Sequence, residues 1–196
     1  MIMPKEYFAH ESAYIDKGAV IEKGTKIWHF SHVMNGARIG KNCKIGQNVV
    51  IAGNVVIGDN VKIQNNVSIY DNITLEDNVF CGPSMVFTNV MNPRSKYPQN
   101  TPDKYKNTLI REGATIGANA TIVCGHTIGC NAFIGAGSVV TKDIPDFALV
   151  YGNPAKMRGW MCECGEKIVF KKTSAACLRC GRRYEKDKKG RVTLHG

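Results

Sequence analysis

Four cysteines near the end of the chain have the spacing of a metal site. Cys162 and Cys164 flank one residue, Cys177 and Cys180 flank two, and a glycine follows each pair. Four thiolates are the donor set of tetrahedral structural zinc, and the glycines let the backbone turn around the sulfurs. The spacing predicts a structural zinc held by these four cysteines in a ribbon of two knuckles, with no open coordination position for catalysis.

A six-residue repeat of branched apolar residues must position any other functional side chain. It runs from Ile15 to Phe87 and again from Ile110 to Val140, and seventeen of its nineteen slots hold Ile, Val or Leu. A period of six fits neither an α-helix nor an alternating hairpin, but it fits a short strand followed by a corner. Three units make an 18-residue triangular coil, so the sequence predicts an all-β parallel helix of roughly six coils.

The corners of this helix are expected to use left-handed backbone angles. Asparagine recurs at the third position after the branched residue, where it tolerates such angles. The asparagines of this series are Asn42, Asn48, Asn54, Asn60, Asn66, Asn72 and Asn78. The next position holds small or β-branched residues such as Thr25, Ser31 and Ala120.

The repeat breaks between Phe87 and Ile110, because 23 residues is not a multiple of six. Residues 89–109 are therefore predicted to leave the coil as a loop. The loop contains three prolines, two tyrosines and the basic residues Arg94, Lys96, Lys104 and Lys106. Long loops in compact domains are usually functional, and the aromatic and basic content favours that interpretation over a tolerated insertion.

Residues 18 apart stack on one corner, so polar rows can be found by counting. Asn89 stacks over Asp71 beside the loop, and His29, Gln47 and Asn65 stack on another corner. These rows are candidate contacts for a sugar. Ordinary corner hydrogen bonding is the alternative interpretation for Gln47 and Asn65.

Several stretches carry a resemblance to a known family. They are Trp28 and Phe30, the run VFTN at 86–89 followed by PRSK at 93–96, and the closing stretches 135–145 and 150–156. Through them most of residues 7–160 resembles the hexapeptide-repeat acetyltransferases that act on nucleotide-linked 3-amino sugars. The segment around Asn89 is similar to the branch that acetylates UDP-linked 2-acetamido-3-amino-uronic acids of surface polysaccharides.

The resemblance implies a left-handed solenoid, although right-handed crossovers are the general rule, and a homotrimer with sites shared between neighbours. It implies an acetyl-CoA-dependent N-acetyltransferase in which the coils after the loop hold the pantetheine arm and phosphates. The residues expected to bind acetyl-CoA are Gly117, Ala118, Gly135, Ala136, Lys142, Asn153, Pro154, Lys156 and Arg158. Arg94, with Lys96 beside it, is the candidate for a sugar carboxylate or diphosphate, and Asn89 is the catalytic candidate.

Domain organisation and compartment follow from charge and cysteine use. We expect a left-handed β-helix acyltransferase domain at residues 7–159 and a zinc-ribbon-like tail at residues 160–196. The tail holds 10 Lys+Arg against 4 Asp+Glu, and the whole chain has a formal charge of +10. The four cysteines of the repeats, Cys43, Cys81, Cys124 and Cys130, are expected to be packing thiols of a cytoplasmic protein. Neither a membrane span nor a nucleic-acid module is predicted.

The sequence leaves other functions of a β-solenoid open. An O-acetyltransferase acting on a sugar hydroxyl would need a histidine base, and the histidines (His10, His29, His32, His126 and His195) all lie outside the loop. A γ-type carbonic anhydrase needs a His-x4-His pair, which the sequence lacks. A non-catalytic scaffold would not need the aromatic, basic loop.

Overall fold

The computed structural model of the chain describes residues 6–99 and 101–195. Residues 1–5, Asn100 of the predicted loop and Gly196 of the predicted tail lie outside this description. Within it the chain forms a left-handed parallel β-helix, as predicted. No helix of the described residues has the length and apolar character needed to cross a membrane.

Most strands of the solenoid are two residues long, because each six-residue unit contributes one flat segment and one corner. The strands before the loop are β1 (Phe8–Ala9), β2 (Tyr14–Ile15), β3 (Val20–Ile21), β4 (Lys26–Ile27), β5 (His32–Val33), β6 (Arg38–Ile39), β7 (Lys44–Ile45), β8 (Val50–Ile51), β9 (Val56–Ile57), β10 (Lys62–Ile63), β11 (Ser68–Ile69), β12 (Ile73–Leu75), β13 (Phe80–Cys81) and β14 (Val86–Phe87).

A short 3-10 helix, Pro102–Lys104, lies in the loop. The strands after it are β15 (Thr108–Ile110), β16 (Thr115–Ile116), β17 (Thr121–Ile122), β18 (Thr127–Ile128), β19 (Phe133–Ile134), β20 (Val139–Val140), β21 (Ala148–Tyr151), β22 (Lys156–Met161), β23 (Lys167–Ile168), β24 (Ser174–Ala176), β25 (Arg183–Lys186) and β26 (Val192–His195).

Three parallel sheets make the three faces of the prism. The first sheet stacks β1, β4, β7, β10, β13, β16, β19 and β21, the second stacks β2, β5, β8, β11, β14, β17 and β20, and the third stacks β3, β6, β9, β12, β15 and β18. The solenoid therefore has about eight turns rather than the roughly six predicted. Ala9 and Val150 extend the series beyond the branched residues that the repeat identified.

The core is the stack of branched side chains inside the prism. The second residue of nearly every strand points inward, and from Ile27 to Val140 these residues are at most 2% exposed. The small residues four positions later are also buried, and where they are polar the core satisfies them: the Thr25 hydroxyl donates to the Gly40 carbonyl at 2.7 Å. Burial raises the pKa of the Cys81 thiol to about 12, so this thiol is a packing group.

The corners adopt the left-handed angles that the asparagines predicted. Asn42, Asn48, Asn60, Asn66, Asn72 and Asn78 have φ between 55° and 64°. Asn54 is not among the residues with positive φ, so it differs from the rest of the predicted series. Side chains at successive corners also bond to each other, as when Asn48 Nδ2 donates to Asn66 Oδ1 at 3.0 Å.

The tail continues from the solenoid through shared secondary structure. β22 pairs antiparallel with β21 and then with β23, so the predicted boundary at residue 160 falls inside a strand. The strands β24, β25 and β26 form a separate antiparallel sheet. Tyr184 of β25 is 1% exposed and meets Phe147 of the last turn edge to face, with ring centroids 5.3 Å apart. The tail thus packs on the C-terminal end of the solenoid, which is the position of a solenoid cap.

Candidate functional site: two edges of the second sheet

The candidate residues lie on the two edges that border the second sheet. The first edge joins the first sheet to the second and includes residues 28–31, 46–49 and 64–67. The second edge joins the second sheet to the third and includes residues 70–72 and the loop between β14 and β15. A whole face of the prism separates the two edges, so each is described by itself.

The first edge carries part of the predicted substrate set and most of the predicted acetyl-CoA set. His29, Gln47 and Asn65 form a row, in which the Gln47 N–H donates to Asn65 Oδ1 at 2.9 Å. Ala118 and Ala136 occupy equivalent corners further along the same edge. The Asn65 side chain is therefore engaged in corner hydrogen bonding, the alternative that the sequence left open.

Gly117 and Gly135 pack so closely against the next turn of the solenoid that neither position has room for a Cβ atom. A Cβ on Gly117 would lie 2.5 Å from the Ala136 nitrogen, and one on Gly135 would lie 2.8 Å from the Tyr151 Cβ. The space that a side chain would need at these positions is filled by protein backbone and by Tyr151. Coil stacking therefore explains why both positions are glycine.

The cationic residues predicted for acetyl-CoA are divided between the edges. Lys156 and Arg158 lie on β22, beyond the Asn153-Pro154 turn, and the Arg158 guanidinium lies 5.1 Å from the Tyr151 ring centroid. Lys142 follows β20 and precedes Ile144, which bridges to Ile128 of the third sheet, so Lys142 belongs to the second edge.

The second edge carries Asn89 at the root of the loop. Asn89 is half-buried, and its carbonyl accepts from the Lys106 N–H at 2.9 Å, which closes the base of the loop. Below it, Asp71 Oδ1 accepts from the Asn54 N–H at 3.0 Å, so one oxygen of that carboxylate serves the corner. Arg94 and Lys96 are exposed on the loop. The loop is shorter than predicted, because Thr108 and Leu109 belong to β15.

Two histidines of the solenoid form pairs with carboxylates. His126 lies on the second edge, with its Nδ1 3.4 Å from an Asp143 oxygen. His32 lies on the outer face of the second sheet, with its Nε2 2.8 Å from Asp16 Oδ1, and the hydrogen bond to His32 lowers the pKa of the Asp16 carboxyl. The sequence indicated packing for His126, and counting by 18 from it reaches Ile144 rather than Asp143, so the spacing does not reveal this pair.

A groove of about 400 Å³ opens on the third sheet beside the loop root. Six of its eight lining residues carry an amide or a hydroxyl group: Asn54, Asn72, Asn107, Thr74, Thr108 and Thr127. None of the residues predicted for substrate or acetyl-CoA lines it.

The four tail cysteines converge as the metal prediction requires. Their sulfurs all lie within 4.8 Å of one another. Cys162 and Cys180 are 3.4 Å apart and Cys164 and Cys177 are 3.6 Å apart, close to the roughly 3.8 Å edge of a tetrahedron with 2.3 Å zinc–sulfur bonds. The buried Tyr184 hydroxyl donates to Cys162 Sγ at 3.0 Å and accepts from the Glu163 N–H at 3.1 Å, which orients one ligand. These residues fit a structural zinc ion.

Comparison with known proteins agrees with this architecture. The bacterial transferase hexapeptide family (six repeats) matches residues 18–53, and the hexapeptide repeat of succinyl-transferase matches residues 36–71 and 109–142. A dTDP-3-amino-3,6-dideoxy-alpha-D-galactopyranose 3-N-acetyltransferase from Aneurinibacillus thermoaerophilus is 48% identical over 84 residues, which cover 43% of each chain. Serine acetyltransferase 4 from Arabidopsis thaliana is 38% identical over 33% of this chain and 18% of its own. The chain thus spans less than half the length of these relatives.

Solved structures share the fold. A hexapeptide transferase family protein from Anaplasma phagocytophilum has a TM-score of 0.55 at 19% identity, covering 80% of each chain. A GDP-perosamine N-acetyltransferase variant from Caulobacter crescentus, in complex with CoA and GDP-perosamine, has a TM-score of 0.50 at 23% identity over 79% of this chain and 58% of its own. These likenesses establish the fold alone. The two family models together match the hexapeptide repeat over residues 18–71 and 109–142 of this chain.

Proposed function

We propose that the chain is an acetyl-CoA-dependent N-acetyltransferase acting on the 3-amino group of a nucleotide-linked amino sugar, specifically a UDP-linked amino-uronic acid for surface polysaccharide. The observation that carries this proposal is the half-buried Asn89 at the root of a loop whose base is closed by the Lys106 N–H. The 48% identical relative, a nucleotide-sugar 3-N-acetyltransferase, supports the same substrate class.

Asn89 would orient the acceptor amine rather than remove a proton from it. An amine flanked by electron-withdrawing groups has a pKa nearer the ~8 of an α-amino group than the ~10.4 of lysine, so a useful fraction is neutral at pH 7. The side-chain carbonyl of Asn89 would accept a hydrogen bond from this amine. That bond would aim the lone pair of the amine nitrogen at the thioester carbon. The new C–N bond forms as the C–S bond breaks, and the departing CoA thiolate takes the surplus proton.

Acetyl-CoA would lie along the coils that follow the loop. Lys156 and Arg158 on β22 are suited to its phosphates at the end of the first edge, and Lys142 on the second edge supplies a further cation. Arg94 and Lys96 extend into solvent on the loop, within reach of a sugar carboxylate or diphosphate that enters there.

A shared site would bring the two edges together. Asn89 and Lys142 lie on the second edge and Ala118 and Ala136 on the first, with the second sheet between them in one chain. We therefore propose a homotrimer, in which the second edge of one protomer faces the first edge of its neighbour.

The trimer is expected to be the species present at micromolar concentration. Sedimentation velocity should give a mass three times the 21.5 kDa of the chain. A monomer that turns over substrate would contradict shared sites.

Hydroxyl acetylation is the second candidate function, and the His126–Asp143 pair favours it. A histidine held by a carboxylate can act as a general base for a sugar hydroxyl, which is far less acidic than an ammonium group. His126 shares the second edge with Asn89, so the two candidates would use the same region.

An activity screen separates the candidates. We expect release of free thiol when the protein is given acetyl-CoA and UDP- or dTDP-linked 3-amino sugars, with an N-acetyl product by mass spectrometry. The matched 3-hydroxy sugar nucleotides should give no release above background. Turnover of the hydroxy sugars alone would replace the amine proposal with the hydroxyl one.

A further inference from the structure

Phe30 occupies a corner position that the rest of the first edge gives to small or polar residues. The equivalent residues of later turns are Asn48, Asn66, Ser84, Asn119 and Gly137, all with positive φ. Phe30 has φ 56°, a left-handed backbone angle that is unfavourable for a bulky residue. Asn, Ser or Gly would adopt this conformation more easily than Phe. A phenylalanine at this corner therefore indicates that its side chain has a role other than local folding.

Packing does not explain Phe30. Phe147, the other phenylalanine with positive φ, is 8% exposed and packs against Tyr184. Phe30 is 65% exposed, and among the described residues its nearest ring is His29, tilted with centroids 6.0 Å apart. The Phe30 N–H donates to the Ser12 hydroxyl at 3.2 Å, which fixes the backbone and leaves the ring in solvent.

Phe30 belongs to a group of rings on the first turns, which we term the aromatic platform: Phe8, His10, Trp28, His29 and Phe30. His10 and His29 stack at 3.5 Å, and the Trp28 plane lies within 9° of the His29 plane. Phe8 meets Trp28 edge to face at 5.5 Å. Phe8 and Trp28 are 46% and 42% exposed, so the platform presents aromatic surface to solvent.

A row of lysines begins beside the platform on the outer face of the first sheet. Lys26 pairs in register with Lys44, and Lys44 with Lys62, so the Cα atoms of the three lysines are spaced by about 5 Å along the axis. Among residues 6–99 and 101–195, no carboxylate forms an ion pair with them. Like charges directly opposite on neighbouring strands are destabilising, and an anion between them would remove the repulsion.

We propose that the aromatic platform binds the nucleobase of a nucleoside diphosphate, whose phosphates lie over Lys44 and Lys62. An exposed ring offers a π-face to any base, and cations in register one or two strands away match a diphosphate attached to that base. The direction from Lys26 to Lys62 leads toward the turns that carry Asn65 and the loop. The proposal rests on the proposed function only in identifying the base as that of the sugar nucleotide.

Phe30→Asn is the decisive variant, because it gives this corner the residue used by Asn48 and Asn66. The midpoint of thermal unfolding should stay the same or rise. Affinity for UDP or dTDP, by calorimetry, should fall roughly 5- to 150-fold, the range expected for losing one base stack. Lys44→Gln should weaken UDP binding while leaving the weaker binding of uridine unchanged. Tyr14→Thr, which removes another exposed aromatic outside the platform, should bind UDP normally.

Two results would contradict nucleobase binding by the aromatic platform. One is unchanged UDP affinity in Phe30→Asn, and the other is pyrophosphate binding to the parent protein as tightly as UDP. A Phe30→Asn protein that becomes monomeric with intact UDP affinity would assign these rings to contact between copies. Binding that is lost in Phe30→Asn while the parent protein transfers no acetyl group would uphold the platform and reject the proposed function. Acetyl transfer with the same KM in Phe30→Asn and parent would reject the platform alone.

Discussion

Replacement of Asn89 by alanine is expected to lower the rate of acetyl transfer roughly 10- to 1000-fold, with acetyl-CoA affinity nearly unchanged. That range is typical for loss of a positioning or oxyanion contact, and it is smaller than the loss of a nucleophile would cause. The fold should survive, because the loop base is held by the Asn89 carbonyl of the backbone rather than by its side chain. Steady-state thiol release and calorimetry with acetyl-CoA measure the two quantities.

The matched control for Asn89→Ala is Asn92→Ala, since Asn92 is an exposed asparagine on the same loop. This control should keep nearly full activity. Asn89→Ala near full activity, together with abolished activity in His126→Ala or His32→Ala, would contradict the positioning role. A histidine base would then be the correct mechanism.

Removal of zinc is expected to unfold the tail while the solenoid stays intact. Metal analysis should find about one zinc ion per chain, and zinc-finger peptides bind theirs with about 10–16 kcal/mol at pH 7. Without the ion, the four sulfurs within 4.8 Å of each other are no longer held together by a shared metal. The hydrophobic cluster around Tyr184, which includes Cys162 and Cys177, is then destabilised. Limited proteolysis after chelation should cut within residues 162–195 before it cuts the coils.

The variant with Cys177 and Cys180 both changed to Ser should behave like the chelated protein. Its acetyl-CoA affinity should remain largely intact, because β22 pairs with β21 through the backbone and does not depend on the sulfurs. Cys130→Ser is the control, a free thiol of the solenoid outside the cluster. Protein purified under reducing conditions without chelator and found free of zinc would contradict the ribbon.

The solenoid could be predicted because its physics is periodic. Ile63, Ile69 and Leu75 follow one another at six residues and enter one core, so counting gives strand, corner and stacking together. The tail could not be predicted in the same way. The contact of Tyr184 with Phe147 joins residues in no repeat relation, and the pairing of β21 with β22 reverses the chain direction that the solenoid keeps.

The repeat spacing predicts only part of the candidate site. The 18-residue spacing gave the rows of Gln47 with Asn65 and of Asp71 with Asn89, but it could not tell ligand contacts from corner hydrogen bonds such as the one that Asn65 accepts. Counting by six puts Ala136 and Lys142 on successive corners, but it could not reveal that Ile144, only four residues after Val140, takes the next place on the third sheet. Phe30 lies 18 residues before Asn48 and 36 before Asn66, so counting also places it at the corner where these later turns have asparagine.

The constant rise of the coils makes the first edge a molecular ruler. Each turn moves a corner by one strand spacing, about 4.8 Å, so the separation between Phe30 and Ala118 can take only stepwise values. Inserting or deleting one 18-residue turn between Asn48 and Asn66 would keep every corner in phase and change that separation by one step. The length of ligand that can span the edge is therefore set by the number of turns, independently of the side chains at either end.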